Sequence, residues 1–163
     1  MKAKREALSP ELKHEYDSII YNQIVKILPN YKSIGIYCSM ENEIDTLAII
    51  QYCFKNKIKV SVPKVLGKNM IFVTITSFAD LKPSILNILE PINSEENHDM
   101  EIMFTPLLAY NQKLQRLGYG GGYYDRYFSQ KQIYKVGLAY HFSKIKADIF
   151  EDYDIALDKI ITN

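Results

Sequence analysis

The chain has 163 residues, 47% hydrophobic and 24% charged, with a formal net charge of +1. That is enough apolar material for one globular domain, residues 1–163, with a real core, and too little length for two. The near-neutral balance and dispersed lysines exclude general attraction to nucleic acid or to a membrane surface, and no apolar run approaches membrane-spanning length.

Residues 1–7 are polar and basic, without the apolar core of a secretory signal. Ser9 followed by Pro10 starts a helix, with Leu12, Tyr16, Ile19, Ile20, Ile27 and Leu28 at helical spacing and Pro29-Asn30 as its stop. Residues 33–38 read as a short strand. Asp45 or Thr46 then caps a second helix carrying Leu47, Ile50, Cys53 and Phe54 on one face, a βαβ beginning. Ile58, Val60 and Val62 alternate as a strand that Pro63 closes, and Gly67-Lys68-Asn69 turns the chain into a partner strand over 70–75.

Residues 77–99 are polar and irregular, with a weak apolar rhythm over 81–89, and read as a connector. Residues 102–108 form a buried central strand whose pairing ends at Pro106. A helix is expected over 123–130, a strand over 134–140 and a last strand over 158–162. The alternation of helix and strand predicts a three-layer α/β/α domain with a mostly parallel, Rossmann-like sheet. Cys38 and Cys53 lie in apolar text with neither CxxC spacing nor a neighbouring histidine. They read as small buried residues of a soluble protein in a reducing, cytoplasmic setting.

The chemistry gathers in RLGYGGGYYDR at 116–126, which holds four of the seven glycines and two of only three arginines against 17 lysines. Glycines let successive N–H groups converge on an anion, and a planar guanidinium grips phosphate or carboxylate in two places at once. No Gly-Lys-Ser/Thr follows, so this is not a Walker loop. Tyr123 occupies the third glycine position of a dinucleotide fingerprint, so it is not that motif either. A bare glycine turn between strand and helix remains the plain alternative. Arg116, Arg126 and Asp125 favour a magnesium-bound phosphate set against a helix N-terminus.

The order of residues from Arg116 to Asp125 resembles the signature of the 5-formyltetrahydrofolate cyclo-ligase family, also called methenyltetrahydrofolate synthetases. SMENEIDT at 39–46, FTPLLAY at 104–110, EDYD at 151–154 and IIT at 160–162 agree in sequence with it. The resemblance implies a fold like that of NagB, RpiA and the CoA transferases. It also implies an ATP-dependent ring closure of 5-formyltetrahydrofolate by a monomeric enzyme without nucleic-acid or membrane partners. It assigns catalysis to Arg116, Tyr123 and Asp125. ATP binding falls to Lys2, Lys4, Arg116, Leu117, Gly118, Tyr119, Gly120, Gly121, Gly122, Tyr123 and Tyr124. Folate binding falls to Cys38, Glu43, Tyr119, Gly120, Gly121, Gly122 and Tyr123, and Mg²⁺ to Asp125 with Asp154.

Several positions depart from the family pattern. A basic Lys-x-x-x-Arg segment usually precedes the part matched by Leu8-Ser9-Pro10-Glu11, which leaves Lys2, Lys4 and Arg5 as candidates. Asn111 replaces a common aspartate, Leu114 a common glycine, and Tyr119 and Gly121 an arginine and a lysine of some relatives. Lys64 and His141 read as ordinary structural residues. A binding relative with little turnover and a phosphate-handling sugar isomerase on a similar fold are the rival readings; dependence on MgATP separates the second from the enzyme.

Overall fold

Ser9 and Pro10 do what their order predicts. The Ser9 hydroxyl accepts from the Leu12 amide at 3.2 Å, and Pro10 opens the long helix α2 (Pro10–Ile27), which follows a short α1 (Lys2–Glu6). Pro29 lies in the 3₁₀ turn Leu28–Asn30 that ends α2. This is a computed structural model, and it describes residues 1–84, 87–146 and 154–163. Ile85 and Leu86 of the weak apolar rhythm, and Glu151, Asp152 and Tyr153 of the C-terminal resemblance, lie outside the described residues.

After β1 (Ser33–Ile36) the chain enters α3 (Leu47–Lys55) and returns as β2 (Lys59–Leu66), parallel to β1 with Ile34 opposite Val60. Asp45 provides the cap of α3, accepting from the amides of Leu47 at 2.9 Å and Ala48 at 3.2 Å. The Thr46 hydroxyl instead donates to the Tyr37 carbonyl at 2.6 Å. A tight turn at Gly67 and Lys68 leads into β3 (Asn69–Ile75), antiparallel to β2. Pro63 does not close β2 as expected: it sits inside the strand opposite Phe72. The β1 ladder reaches only Ser61, so Pro63 lies on a free edge where its missing N–H removes no ladder bond.

The connector holds more order than its composition suggests. A capping box joins Ser77 and Asp80, and β4 (Leu81–Pro83) pairs with β5 (Leu89–Pro91). The buried Asn97 side chain ties this segment to the sheet by donating to Ser61 Oγ at 2.9 Å. Then come β6 (Ile102–Pro106), the small hairpin β7 (Ala109–Tyr110) and β8 (Arg116–Leu117), α4 (Tyr123–Gln130), β9 (Tyr134–Ala139) and β10 (Lys159–Thr162).

Among the described residues the main sheet runs β10-β9-β6-β1-β2-β3, parallel except at β3. The pleat divides its side chains between two cores. Ile34, Ile36, Val60 and Phe104 meet Ile20 and Ile24 of α2 and Ile50 and Cys53 of α3. Phe72 and Met103 face the other way, toward Tyr127 and Phe128 of α4. These are three layers, α/β/α, as expected. Each fully buried Ile or Phe contributes about 1.5–3 kcal/mol.

Candidate active site

Strand order locates the crevice. From β1 the chain moves outward to β2 and β3, whereas β6, on the other side of β1, leads outward to β9 and β10. Between β1 and β6 the direction of progression reverses, and ligands of parallel α/β sheets collect at the carboxyl ends of such strands. The segment after β1 carries Cys38 and Glu43, and the segment after β6 leads through the β7–β8 hairpin into the glycine loop. Fold topology therefore brings together two stretches that are distant in sequence.

The 37–46 segment is held rigidly. The Ser39 amide donates to Thr46 Oγ1 at 3.0 Å, and the Thr46 amide donates back to Ser39 Oγ at 3.1 Å. Glu43 is only 5% exposed; its Oε2 accepts from the Met40 amide at 2.9 Å and its Oε1 from the Tyr119 hydroxyl at 2.7 Å. Glu43 is thus a fixed wall group rather than a solvated loop acid. Cys38 is buried, and burial pushes its thiol up to about 12, which keeps it neutral.

The glycines of the loop are required by shape. Gly120 has φ +91° and Gly122 φ +63°, both left-handed conformations, and a Cβ on Gly121 would lie 2.7 Å from the Tyr123 ring. Gly122 is the residue before α4, so the loop ends at the unpaired amides of a helix start. On β8 beneath it, Arg116 is buried, with its guanidinium 5.2 Å from the Tyr124 ring centre and Nη2 3.0 Å from Asp125 Oδ1. The Asp125 contact lacks hydrogen-bond geometry. Arg116 Nε and Nη2 consequently have no hydrogen-bond acceptor among the described residues, although both are buried. Buried donors in that condition are rare in folded proteins and point to a missing acceptor such as a ligand oxygen.

Asp125 lies in the first turn of α4, and its Oδ1 also accepts from the Ile155 amide at 3.3 Å. That bond brings the backbone next to Asp154 up to the Asp125 carboxylate. Two carboxylates leave most positions of an octahedral ion for water and phosphate oxygens, the habit of magnesium rather than of a metal held wholly by protein. Among the described residues no group of three or more His, Cys, Asp or Glu forms an alternative metal cluster.

Arg126 departs from its expected place at the phosphate. Its Nε donates to the Lys68 carbonyl at 3.0 Å and its Nη2 to the Gly121 carbonyl at 2.8 Å, while its guanidinium lies 5.0 Å from the Tyr123 ring centre. Tyr123 itself donates to the Gly67 carbonyl at 3.2 Å. Together they fasten the glycine loop to the β2–β3 turn. Tyr124 packs its ring against Phe72 and Phe128.

At the N-terminus the outcome is divided. Lys2 places its Nζ 5.3 Å from the Tyr119 ring centre, whereas Lys4 is exposed on α1. Arg5 is buried at the site: Nη2 donates to the Leu107 carbonyl just beyond β6, and Nη1 to the Tyr119 hydroxyl at 3.4 Å. Sequence reasoning had it only as one of three basic candidates. Its signal was scarcity, since the third arginine of a lysine-rich chain belongs with the other two. Lys64 donates to the carbonyls of Ile92 and Asn93, and His141 pairs with Asn163, both structural roles as read. Asn111 builds the β7–β8 turn by accepting from the Lys113 and Gln115 amides, and Leu114 adopts φ +59°, the conformation a glycine would take there without strain.

A switch-point crevice in a three-layer α/β fold, with a glycine loop at a helix start and a buried arginine beside Asp125, has the form of a ligand-binding α/β enzyme. The 5-formyltetrahydrofolate cyclo-ligase family model matches residues 1–163, and the chain belongs to that family. It is 32% identical to the 5-formyltetrahydrofolate cyclo-ligase of Mycoplasma genitalium, with 100% of this chain and 93% of that protein covered. Among solved structures it is similar to a 5,10-methenyltetrahydrofolate synthetase from Mycoplasma pneumoniae, with TM-score 0.80, 30% identity, and 99% of this chain and 93% of that one covered. The Aquifex aeolicus 5,10-methenyltetrahydrofolate synthetase gives TM-score 0.87 at 26% identity, covering 98% of this chain and 84% of that one.

Proposed function

We propose that this chain closes 5-formyltetrahydrofolate to 5,10-methenyltetrahydrofolate at the expense of ATP, and that the crevice between β1 and β6 is where it does so. The observation that carries the reading is Arg116, buried beneath the glycine loop beside Asp125, with Nε and Nη2 lacking hydrogen-bond acceptors among the described residues. The formyl oxygen is a poor leaving group. It attacks the γ-phosphorus, the bond to the β-bridging oxygen breaks, and ADP forms. N10 then attacks the activated formyl carbon, the C–O bond breaks with departure of inorganic phosphate, and N10 loses its proton.

Such transfer depends on alignment and on charge neutralisation more than on acid–base work. Arg116 supplies a fixed, desolvated positive charge to the phosphoryl oxygens. The amides from Gly118 to Tyr124 cradle the phosphates at the start of α4, with Leu117 and Lys2 at the margin and Lys4 within reach of solvent-exposed phosphate. Tyr123 holds the loop in place. Glu43 accepts N–H donors of the pterin, and Cys38, Tyr119 and the glycines form the surrounding wall. Asp125 and Asp154 would hold Mg²⁺, which when bound neutralises phosphate charge. Buried, unpaired cysteines favour a reducing cytoplasm as the place of work.

The test is the appearance of the methenyl chromophore when purified protein meets 5-formyltetrahydrofolate and MgATP, with ADP formed one for one. Product without ATP, or none at high enzyme concentration, defeats the reading. Binding of both ligands without ADP release would identify a non-turning-over relative instead.

A further inference from the structure

We propose that Arg5 is a positioning residue for Glu43, acting through the hydroxyl of Tyr119; the inference rests on Glu43 being the pterin acceptor. Three segments of the chain meet in this relay. Arg5 comes from α1, Tyr119 from the glycine loop and Glu43 from the loop after β1.

The donors and acceptors run in one direction. Arg5 is anchored by the Leu107 carbonyl and lies 5.9 Å from the Tyr140 ring centre, and Tyr140 donates to Asp17 of α2 at 2.8 Å. Its Nη1 faces the Tyr119 oxygen, which in turn donates its proton to Glu43 Oε1 at 2.7 Å. Burial and the Glu43 charge raise the Tyr119 pKa, so the phenol keeps the proton it donates. Glu43 Oε2 is held separately by the Met40 amide. A carboxylate has about four acceptor sites. With one taken on each oxygen, one remains on each for the N–H donors of the ligand.

Removing the Tyr119 hydroxyl frees one carboxylate oxygen, and the acceptor pair is no longer aligned before the ligand arrives. Arg5 prevents this from behind. A lysine there offers one nitrogen in place of the two that Arg5 aims separately at the Leu107 carbonyl and the Tyr119 oxygen, so it holds the pair less firmly. Tyr119 as a whole is 46% exposed while its hydroxyl bonds the buried Glu43, so loss of the oxygen alone leaves the loop's packing in place.

The experiment is a double-mutant cycle with Y119F, R5K and the pair, measured by calorimetric binding of 5-formyltetrahydrofolate and by steady-state rates. We expect Y119F to weaken folate binding and raise its KM by about tenfold, the effect of one charge-assisted hydrogen bond, with the KM for MgATP changed less than twofold. R5K should shift the same two quantities severalfold in the same direction, and the pair should be no worse than Y119F alone. An unchanged folate Kd in Y119F, or additive effects in the pair, overturns the relay. If R5K fails to fold, the Y119F split between the folate and MgATP KM values decides. If the wild type binds folate but forms no methenyl product, the proposed turnover falls, while the calorimetric cycle still decides the relay.

Discussion

All three arginines surround the glycine loop, yet its two sides employ them in opposite ways. On the buried side, Arg116 and Arg5 keep donor atoms with no hydrogen-bond acceptor among the described residues, Nε and the ion-paired Nη2 in the first and Nε in the second. On the exposed side, Arg126 gives its donors to the carbonyls of Lys68 and Gly121. A buried guanidinium with unsatisfied N–H groups is costly unless something else completes it, so its retention marks a site. An exposed one with paired groups is a fastener. The difference teaches that a motif rich in arginine cannot be assigned to phosphate residue by residue until the acceptors are known.

The largest test of this contrast is R116A. Loss of a fixed charge at the transferring phosphoryl should lower kcat/KM by about 10²–10³-fold, measured as the rate of methenyl formation, with the melting transition retained. A drop smaller than tenfold would place Arg116 among the fasteners. Next comes D125N, which keeps the shape but removes the charge; we expect roughly a hundredfold loss of rate. Its magnesium titration should also move to higher concentration. If the rate falls with no change in magnesium dependence, Asp125 serves only to pair with Arg116.

R126K sharpens the other side. A lysine presents a single nitrogen where Arg126 uses Nε and Nη2 for two separate carbonyls, so the tie between the loop and the β2–β3 turn is weakened. The expected outcome is a rise in the KM for MgATP of about three- to tenfold, corresponding to one weakened hydrogen bond, with the folate KM nearly constant. A loss as large as that of R116A would mean that Arg126 leaves its carbonyls and joins the phosphate.

The architecture was largely readable because its determinants are local. Ser9-Pro10 before a helical rhythm, Asp45 ahead of Leu47, the Gly67 turn and the apolar run at 102–106 each carry their own physical instruction. Pro63 misled because whether a proline ends a strand depends on what lies beside it, and β1 stops short of it. The ordered connector was hidden because polar composition does not reveal Asn97 reaching Ser61. Of the site, the glycine loop was readable from its own residues, whereas Glu43 entered only through the family resemblance, since an acid in the polar text Glu41-Asn42-Glu43 is by itself ordinary. Arg5 and Arg126 were not readable, because their roles are fixed by carbonyls at Leu107 and Lys68 that any sequence would supply.

Cys38 gives the smallest expected effect and extends the contrast to a group that is at the wall yet chemically silent. Burial raises both cysteine thiols from 9 to about 12. Below pH 9 both folded and unfolded chains keep the protons, and the thiols make no pH-dependent contribution. Above pH 9 the unfolded chain loses them first, so stability falls progressively as pH rises toward 12. Denaturant midpoints between pH 8 and 11 should show this fall, and C38S with C53S should make it shallower, the remainder coming from buried tyrosines such as Tyr124 and Tyr140, whose hydroxyls are also raised by burial. At pH 8 iodoacetamide should leave activity intact in the folded protein, because a buried neutral thiol is a poor nucleophile. Rapid inactivation that folate prevents would show that Cys38 is open to the crevice and ionised there, and the wall would then contain a reactive group after all.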